Sequence, residues 1–249
     1  MSTGLTFDFA GTSVLVTGGT SGIGHAIATA FASAGAEVTV TGTRAGAADY
    51  ETDLTSFSFR QLEARDADAV DALAAEHDVL DVLVNNAGAH FPDGLDEWSP
   101  EGFTASLAMN VEGAQRLTVG AKRALTKSTM SGGASVVNLV SMTAYRSTTI
   151  VPGYSSAKAA LVALTRNLAV HWAGRGIRVN AVAPGLIDTP MTAPMNAVPE
   201  IVDSELAHIP LGRFGTVDEI APGIAFLCTE QSSYTSGALF VVDGGSDCI

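Results

Sequence analysis

Cysteine is nearly missing from this chain of 249 residues, which holds only Cys228 and Cys248. Two thiols cannot build a disulfide framework, and neither lies in a C-x-x-C or Cys/His cluster, so no metal site is signalled and a reducing compartment is expected. Basic residues are also scarce. Lys and Arg total 13 against 26 Asp and Glu, a formal net charge of −13. Such a surplus repels phosphate backbones and anionic membranes, and this argues against nucleic acid or a lipid surface as a partner. No run of about 18 apolar residues is present to span a bilayer. Met1–Gly11 places no Lys or Arg ahead of an apolar stretch, as a secretory leader does, so a cytoplasmic protein is expected. Disorder is excluded by a composition that is 47% hydrophobic and 16% charged. A single α/β domain of this length can bury a full core, so 1–249 is read as one domain.

Short β-branched runs alternate with longer, Ala-rich segments of helical period. Ser13–Thr17, Glu37–Thr41, Phe57–Leu62, Val79–Asn85, Ala134–Val140, Ile177–Val182 and Leu239–Val242 read as seven strands, nearly continuous in apolar character as strands buried on both faces are. Gly24–Ala34, Asp66–Glu76, Thr104–Lys127, Tyr154–Ala173 and Val217–Cys228 carry the i, i+3, i+4 spacing of helices. The alternation predicts a doubly wound, Rossmann-like, seven-stranded parallel sheet with helices on both faces. Thr43 to Ser56 is about the shortest connection that can hold a helical crossover, so one or two turns are expected there. Pro184 to Phe214 carries five prolines and reads as an irregular lid or substrate loop.

Thr17-Gly18-Gly19-Thr20-Ser21-Gly22-Ile23-Gly24 follows the first strand and opens the first helix. A tight structural turn needs glycine as well. In the first βα unit, however, Gly18 suits turn dihedrals, Gly22 a backbone close to a pyrophosphate, and Gly24 close packing of helix on strand. The helix N-terminus adds N–H donors for an anion, which points to a dinucleotide.

Tyr154 and Lys158, at i and i+4 near the start of a helix, share one face. An ammonium about 4 Å from a phenol, at an effective dielectric of about 20, is worth roughly 4 kcal/mol. That is enough to bring a pKa of about 10 toward neutrality, where a proton shuttle works. A boundary Tyr beside a solvated Lys is the bland alternative. Ser141 weighs against it, because it stands at the carboxyl end of a strand, where open α/β sheets bind ligands and where a hydroxyl can polarise a carbonyl.

With its G-x-x-x-G-x-G spacing the chain resembles the compact branch of the short-chain dehydrogenase/reductase family, from about Gly11 to Gly245. Asn85-Asn86-Ala87-Gly88, Asn110, Ser141, Tyr154-x-x-x-Lys158, Pro184-Gly185 and Asp243-Gly244-Gly245 match in order. The resemblance implies an oxidoreductase that passes a hydride between a nicotinamide cofactor and a ketone or secondary alcohol. Tyr154 is then the general acid/base, Ser141 orients the carbonyl, Lys158 lowers the Tyr pKa and holds the ribose, and Asn110 supports a water beside the Lys.

It further implies cofactor contacts from Gly18, Thr20, Ser21, Gly22, Ile23 and Gly24. Asn86, Ala87 and Gly88 line the adenosine ribose, Pro184, Gly185, Ile187 and Thr189 grip the nicotinamide, and Glu63 stands where the family usually has an adenine-binding Asp. At the end of the second strand, family members selective for NAD carry an acid; here the position is Gly42, followed by Thr43 and Arg44. A 2′-phosphate fits better than the repulsion an acid would give, so NADP(H) is favoured with NAD(H) possible, although Arg44 as a merely solvated side chain is the alternative.

Substrate contacts are expected from His90, Met142, Arg146, Val151 and Met191, and the apolar inner surface of the loop after Thr189 suits a hydrophobic or medium-sized carbonyl compound. Alternatives are a 3-oxoacyl-(acyl-carrier-protein) reductase, an NAD-dependent alcohol or diol dehydrogenase, and a non-catalytic cofactor sensor. The acidic charge argues against docking an acidic carrier. The matching helices of the family imply a homotetramer, with a dimer as fallback.

Overall fold

The structure, a computed structural model, describes residues 6–248; the first five residues of the Met1–Gly11 segment lie outside it. Its frame is a seven-stranded sheet. The strands are β1 (Ser13–Val16), β2 (Glu37–Gly42), β3 (Ser58–Gln61), β4 (Val82–Asn85), β5 (Ala134–Leu139), β6 (Ile177–Pro184) and β7 (Leu239–Val242). They lie in the order β3-β2-β1-β4-β5-β6-β7, every neighbouring pair parallel. β4, β5 and β6 are buried along their whole length, which explains their unbroken apolar runs.

Successive strand residues point to opposite faces, and each face has its own core. Val14 and Val16 pack with Ile27 and Phe31 of α1 (Gly22–Ser33) and with Ile220 and Ile224 of a later helix, Val217–Leu227. Leu15, between them, packs on the other side with Leu73 of α2 (Ala67–Glu76), Leu117 and Trp172. The doubly wound α/β fold expected from the sequence is therefore present, with helices on both faces.

Three segments differ from the sequence reading. The helix expected at Thr104–Lys127 starts earlier and is broken into α3 (Pro100–Leu107), a π-helical turn (Ala108–Glu112), α4 (Gly113–Gly120) and α5 (Lys122–Thr126). Ser99 starts it, its Oγ accepting the Gly102 N–H at 3.0 Å, with Pro100 at the first helical position. The fourth strand starts at Val82 rather than Val79, because Asp81 turns its carboxylate onto the Ser13 N–H at 2.9 Å. The proline-rich stretch from Pro184 to Phe214 also holds a helix. After α6 (Pro152–Trp172) comes α7 (Pro199–Leu206), again begun by a proline, and then α8, the Val217–Leu227 helix. The short second crossover is a single turn, Ala47–Asp49, as its length predicts. Cys228 is buried and Cys248 exposed. Among the described residues no helix is long and apolar enough to cross a membrane.

Candidate functional site

The carboxyl ends of β1, β2 and β4 are laced together around the glycine-rich turn. Thr17 Oγ1 accepts the N–H groups of Asn86 and Ala87, both at 3.0 Å. Asn86 Nδ2 donates back to the carbonyls of Thr17 (2.9 Å) and Gly18 (3.1 Å), and the Gly18 N–H donates to Thr41 Oγ1 at 3.1 Å. A Cβ at Gly24 would stand 2.3 Å from the Gly18 carbonyl oxygen and 2.4 Å from Asn86 Nδ2. Gly24 thus admits the turn itself and its Asn86 clamp, rather than the strand the sequence reading expected. Ser21 caps α1 without a side-chain bond and no acid occupies the first turn, whereas Asp66 caps α2 through the N–H groups of Asp68 and Ala69. The first turn of α1 thus keeps its N–H donors and positive dipole end for an outside anion.

These residues line a cleft of about 320 Å³ that Gly18, Thr20, Ser21, Gly22, Ile23 and Gly24 share with Thr43, Glu63, Asn86, Ala87, Gly88, Thr189 and Met191. Sequence reasoning missed Tyr50, which also lines it. A Cβ at Gly42 would lie 2.3 Å from the Tyr50 hydroxyl oxygen, so this position has no room for an acidic side chain as Tyr50 stands. The Tyr50 hydroxyl accepts the Arg44 N–H at 2.8 Å, and the Arg44 guanidinium stacks 5.0 Å from the Tyr50 ring centre and donates to the Asp49 carbonyl. Arg44 is thus exposed and held against Tyr50, next to the cleft-lining Thr43 rather than in the cleft itself. An aromatic six residues after Arg44 in a short crossover was the available signal. Glu63 faces the cleft but also accepts the Arg65 N–H at 3.2 Å.

Ser141 follows β5 and caps a turn, Met142–Ala144, its Oγ accepting the Thr143 N–H at 3.2 Å. Tyr154 and Lys158 sit in the first two turns of α6, 8% and 3% exposed. Lys158 Nζ donates to the Leu139 carbonyl at 2.8 Å and stands 5.4 Å from the Tyr154 ring centre. The expected lowering of the Tyr154 pKa by Lys158 is not found. Burial pushes the phenol up to about 12, a side-chain hydrogen bond with Ser141 opposes this, and the Glu97 charge adds to it. The reason is geometric: the ammonium is turned to the Leu139 carbonyl and lies over the ring. Burial brings Lys158 itself down to about 8.

Asn110 stands in the π-helical turn with its amide occupied. Oδ1 accepts the Ala89 N–H at 3.0 Å, while Nδ2 donates to the carbonyls of Ala89 (2.9 Å) and Ser106 (3.0 Å). A Cβ at Gly88 would lie 2.6 Å from Asn110 Oδ1 and 3.3 Å from Lys158 Nζ, which places all three residues together.

Of the residues assigned to substrate, His90 packs edge-on against the Tyr154 ring at 4.2 Å, and burial lowers its pKa. Val151 is buried as the cap of α6, Met142 opens the turn after Ser141, and Met191 lines the cleft half-exposed. Arg146 donates to the Ser246 carbonyl at 3.2 Å, so its guanidinium ties the segment after β5 to the C-terminal turn. Among the expected nicotinamide contacts, Pro184 ends β6 and Gly185 donates to the Val242 carbonyl at 2.9 Å. Ile187 is core, bridged to Gly215, and its side chain does not line the cleft. Thr189 crosses to the glycine turn, 3.6 Å from where a Gly22 Cβ would be. Sequence reasoning also missed Glu97, completely buried, whose carboxylate accepts the N–H groups of Phe91 (2.9 Å) and Tyr154 (2.8 Å). In so acidic a chain nothing set it apart.

The model of the family Enoyl-(Acyl carrier protein) reductase matches residues 18–247. The galactitol 2-dehydrogenase (L-tagatose-forming) of Cereibacter sphaeroides is 38% identical over 96% of both chains. The cis-4-hydroxycyclohexanecarboxylate dehydrogenase of Sinomonas cyclohexanicum is 37% identical over 95% of this chain and 97% of its own. The RhlG/NADP active-site complex of Pseudomonas aeruginosa superposes with a TM-score of 0.86 at 29% identity, covering 97% of this chain and 98% of that one. With the glycine turn, the Ser141, Tyr154 and Lys158 cluster and the sheet order all in agreement, the chain belongs to the short-chain dehydrogenase/reductase family of NAD(P)-dependent oxidoreductases.

Proposed function

We propose that the protein interconverts a ketone and a secondary alcohol on a free small molecule, with Tyr154 as proton donor and acceptor. The observation that carries this is the buried Tyr154 phenol, which Ser141 and burial both act on, one helical turn from Lys158 and beside a glycine cleft that fits a dinucleotide. The fit rests on the first turn of α1, which offers N–H donors with no acid or side-chain cap, and on Gly24, whose missing side chain leaves room for the turn. Gly18 to Gly24 would hold the pyrophosphate, Asn86 to Gly88 and Glu63 the adenosine, and Pro184, Gly185, Ile187 and Thr189 the nicotinamide. The nicotinamide supplies or accepts the hydride when bound.

The chain's own residues handle the proton and the orientation. Ser141 donates to the carbonyl oxygen and fixes it beside the Tyr154 hydroxyl. A phenol held up at about 12 is protonated at neutral pH and gives its proton to that oxygen in the reductive direction. Lys158, brought to about 8, then restores the proton, while Asn110 holds the segment at Ala89 against α3 and the π-helical turn.

NADP(H) is the preferred cofactor in this reading, since Tyr50 fills the space beside Gly42 that an acid would need and Arg44 stands at the rim. Two of the relatives above oxidise hydroxyl groups on a polyol and on a ring carboxylic acid, as their names state. A panel of ketones and alcohols assayed with both cofactors tests the reading, and Tyr154→Phe tests the mechanism: turnover at the level of the unaltered protein would overturn it. Self-association as a homotetramer belongs to the same proposal, supported by Val170 of α6, 83% exposed, on a helix expected to pair.

A further inference from the structure

The segment between β4 and α3, which carries His90, has a strained backbone at two residues. Phe91 and Asp93 both adopt left-handed backbone angles, φ 45° and 58°, that residues with side chains rarely hold unless the surroundings impose them. Two acidic contacts hold this segment. Asp93 is clamped by Arg65, and the Phe91 N–H is bound by Glu97 Oε1 at 2.9 Å. The other Glu97 oxygen, Oε2, accepts the N–H of Tyr154 itself at 2.8 Å.

Glu97 is 0% exposed, and among the described residues no Lys or Arg pairs with it. A carboxylate shut off from water and without a counter-cation is costly to bury. Here its partners are backbone donors, one of them in the first turn of α6, where the helix dipole favours negative charge. The neighbouring helices leave it no freedom. A Cβ on Gly153 would meet Ser106 Cβ of α3 at 2.7 Å and Glu97 Oε2 at 3.3 Å, so glycine at 153 lets α6 pack close on α3, with the carboxylate beside that contact. The next residue continues the tie, since Trp98 Nε1 donates to the Thr149 carbonyl in the segment after β5, at 2.9 Å.

We propose that Glu97 is a positioning residue, whose buried carboxylate ties Tyr154 to the segment that carries His90 and so fixes the reactive phenol relative to the substrate wall. The proposal rests on the reading of Tyr154 as proton donor and acceptor. Facing Tyr154 are Ser141 at the end of β5, His90 and Glu97 after β4, and Lys158 one turn along α6. Of these, Glu97 alone both touches the Tyr154 backbone and places a negative charge near its ring. It therefore governs both where the phenol stands and how firmly it keeps its proton.

The test compares Glu97→Gln, Glu97→Asp and Tyr154→Phe in the full chain. It measures melting temperature, NADPH binding by fluorescence titration, and kcat against pH with a ketone that the panel shows to be turned over. Glu97→Gln removes the charge and one of the two acceptors; it is expected to lower kcat about 10- to 100-fold with NADPH affinity unchanged. Its pH limb assigned to Tyr154 moves to lower pH, because a negative charge that held the proton is gone. Glu97→Asp keeps the charge but is one methylene too short for both N–H groups; it lowers kcat with the limb unmoved. Wild-type kcat in Glu97→Gln overturns the proposal. So does a loss of NADPH affinity as large as the loss of kcat, or failure of both variants to fold, since each makes Glu97 a structural residue only. Tyr154→Phe separates the two readings: if it turns over normally the mechanism fails, whereas an inactive Tyr154→Phe beside an unaffected Glu97→Gln sinks this inference alone.

Discussion

Tyr154 is held by burial, by the Glu97 carboxylate on its N–H and by its ring contacts with His90 and Lys158. Replacing it with Phe removes only the hydroxyl, so NADPH should bind nearly as before while turnover falls roughly 10²–10⁴-fold, the usual loss of general acid catalysis. Lys158 makes a prediction about stability. Its folded pKa of about 8 lies below the 10.5 of a free lysine, so between pH 8 and about 10 the unfolded chain binds more protons than the folded one. Stability from this group therefore rises with pH across that window, by at most about 1.4 kcal/mol per pH unit, and the gain is lost as pH falls through 8. Tyr154 reverses the trend above pH 10, where the unfolded phenol ionises before the folded one. Melting of the cofactor-free protein from pH 7 to 9.5 should show a rise that Lys158→Met flattens. Arg44→Ala should weaken NADPH binding several-fold and leave NADH binding unchanged; equal loss for both would remove Arg44 from cofactor choice. The residues that matched motifs were legible in the chain because their spacing is fixed by one turn or one helix. Glu97 was not, because it gains its meaning from burial and from Tyr154 far along the chain, while the one sign of Tyr50 was its spacing from Arg44.

At the scale of elements, the alternation of apolar runs was enough to read the sheet, since strands buried on both faces carry little else. What it could not show is the break in the long helix at Ala108–Glu112. A π-helical turn leaves the apolar period almost intact, and the Asn110 amide within it reaches across to the backbone of Ala89. The glycine turn offers the element-scale prediction. Asn86→Ala removes two hydrogen bonds to the carbonyls of Thr17 and Gly18 and opens space beside Gly24. It should lower stability by about 1–2 kcal/mol, seen as a reduced melting temperature, and weaken NADPH binding as well. A variant that melts like the unaltered protein would mean the turn holds its shape without the clamp.

For the whole molecule, the charge of −13 leaves the cofactor cleft to rely on backbone donors and a few local cations rather than on a basic surface. Light scattering at micromolar concentration should report four chains, and Val170→Glu, placed on the exposed side of α6, should shift the population toward smaller species; a monomer in the unaltered protein would refute the assembly. The scarcity of cysteine has a practical side. Cys228 is enclosed, with burial pushing its thiol up to about 12, whereas Cys248 is exposed in the turn after Ser246, the residue whose carbonyl Arg146 grips. A maleimide dye should therefore attach at one place, beside the tie between the C-terminal turn and the segment after Ser141, giving an optical reporter of that segment without any engineered cysteine.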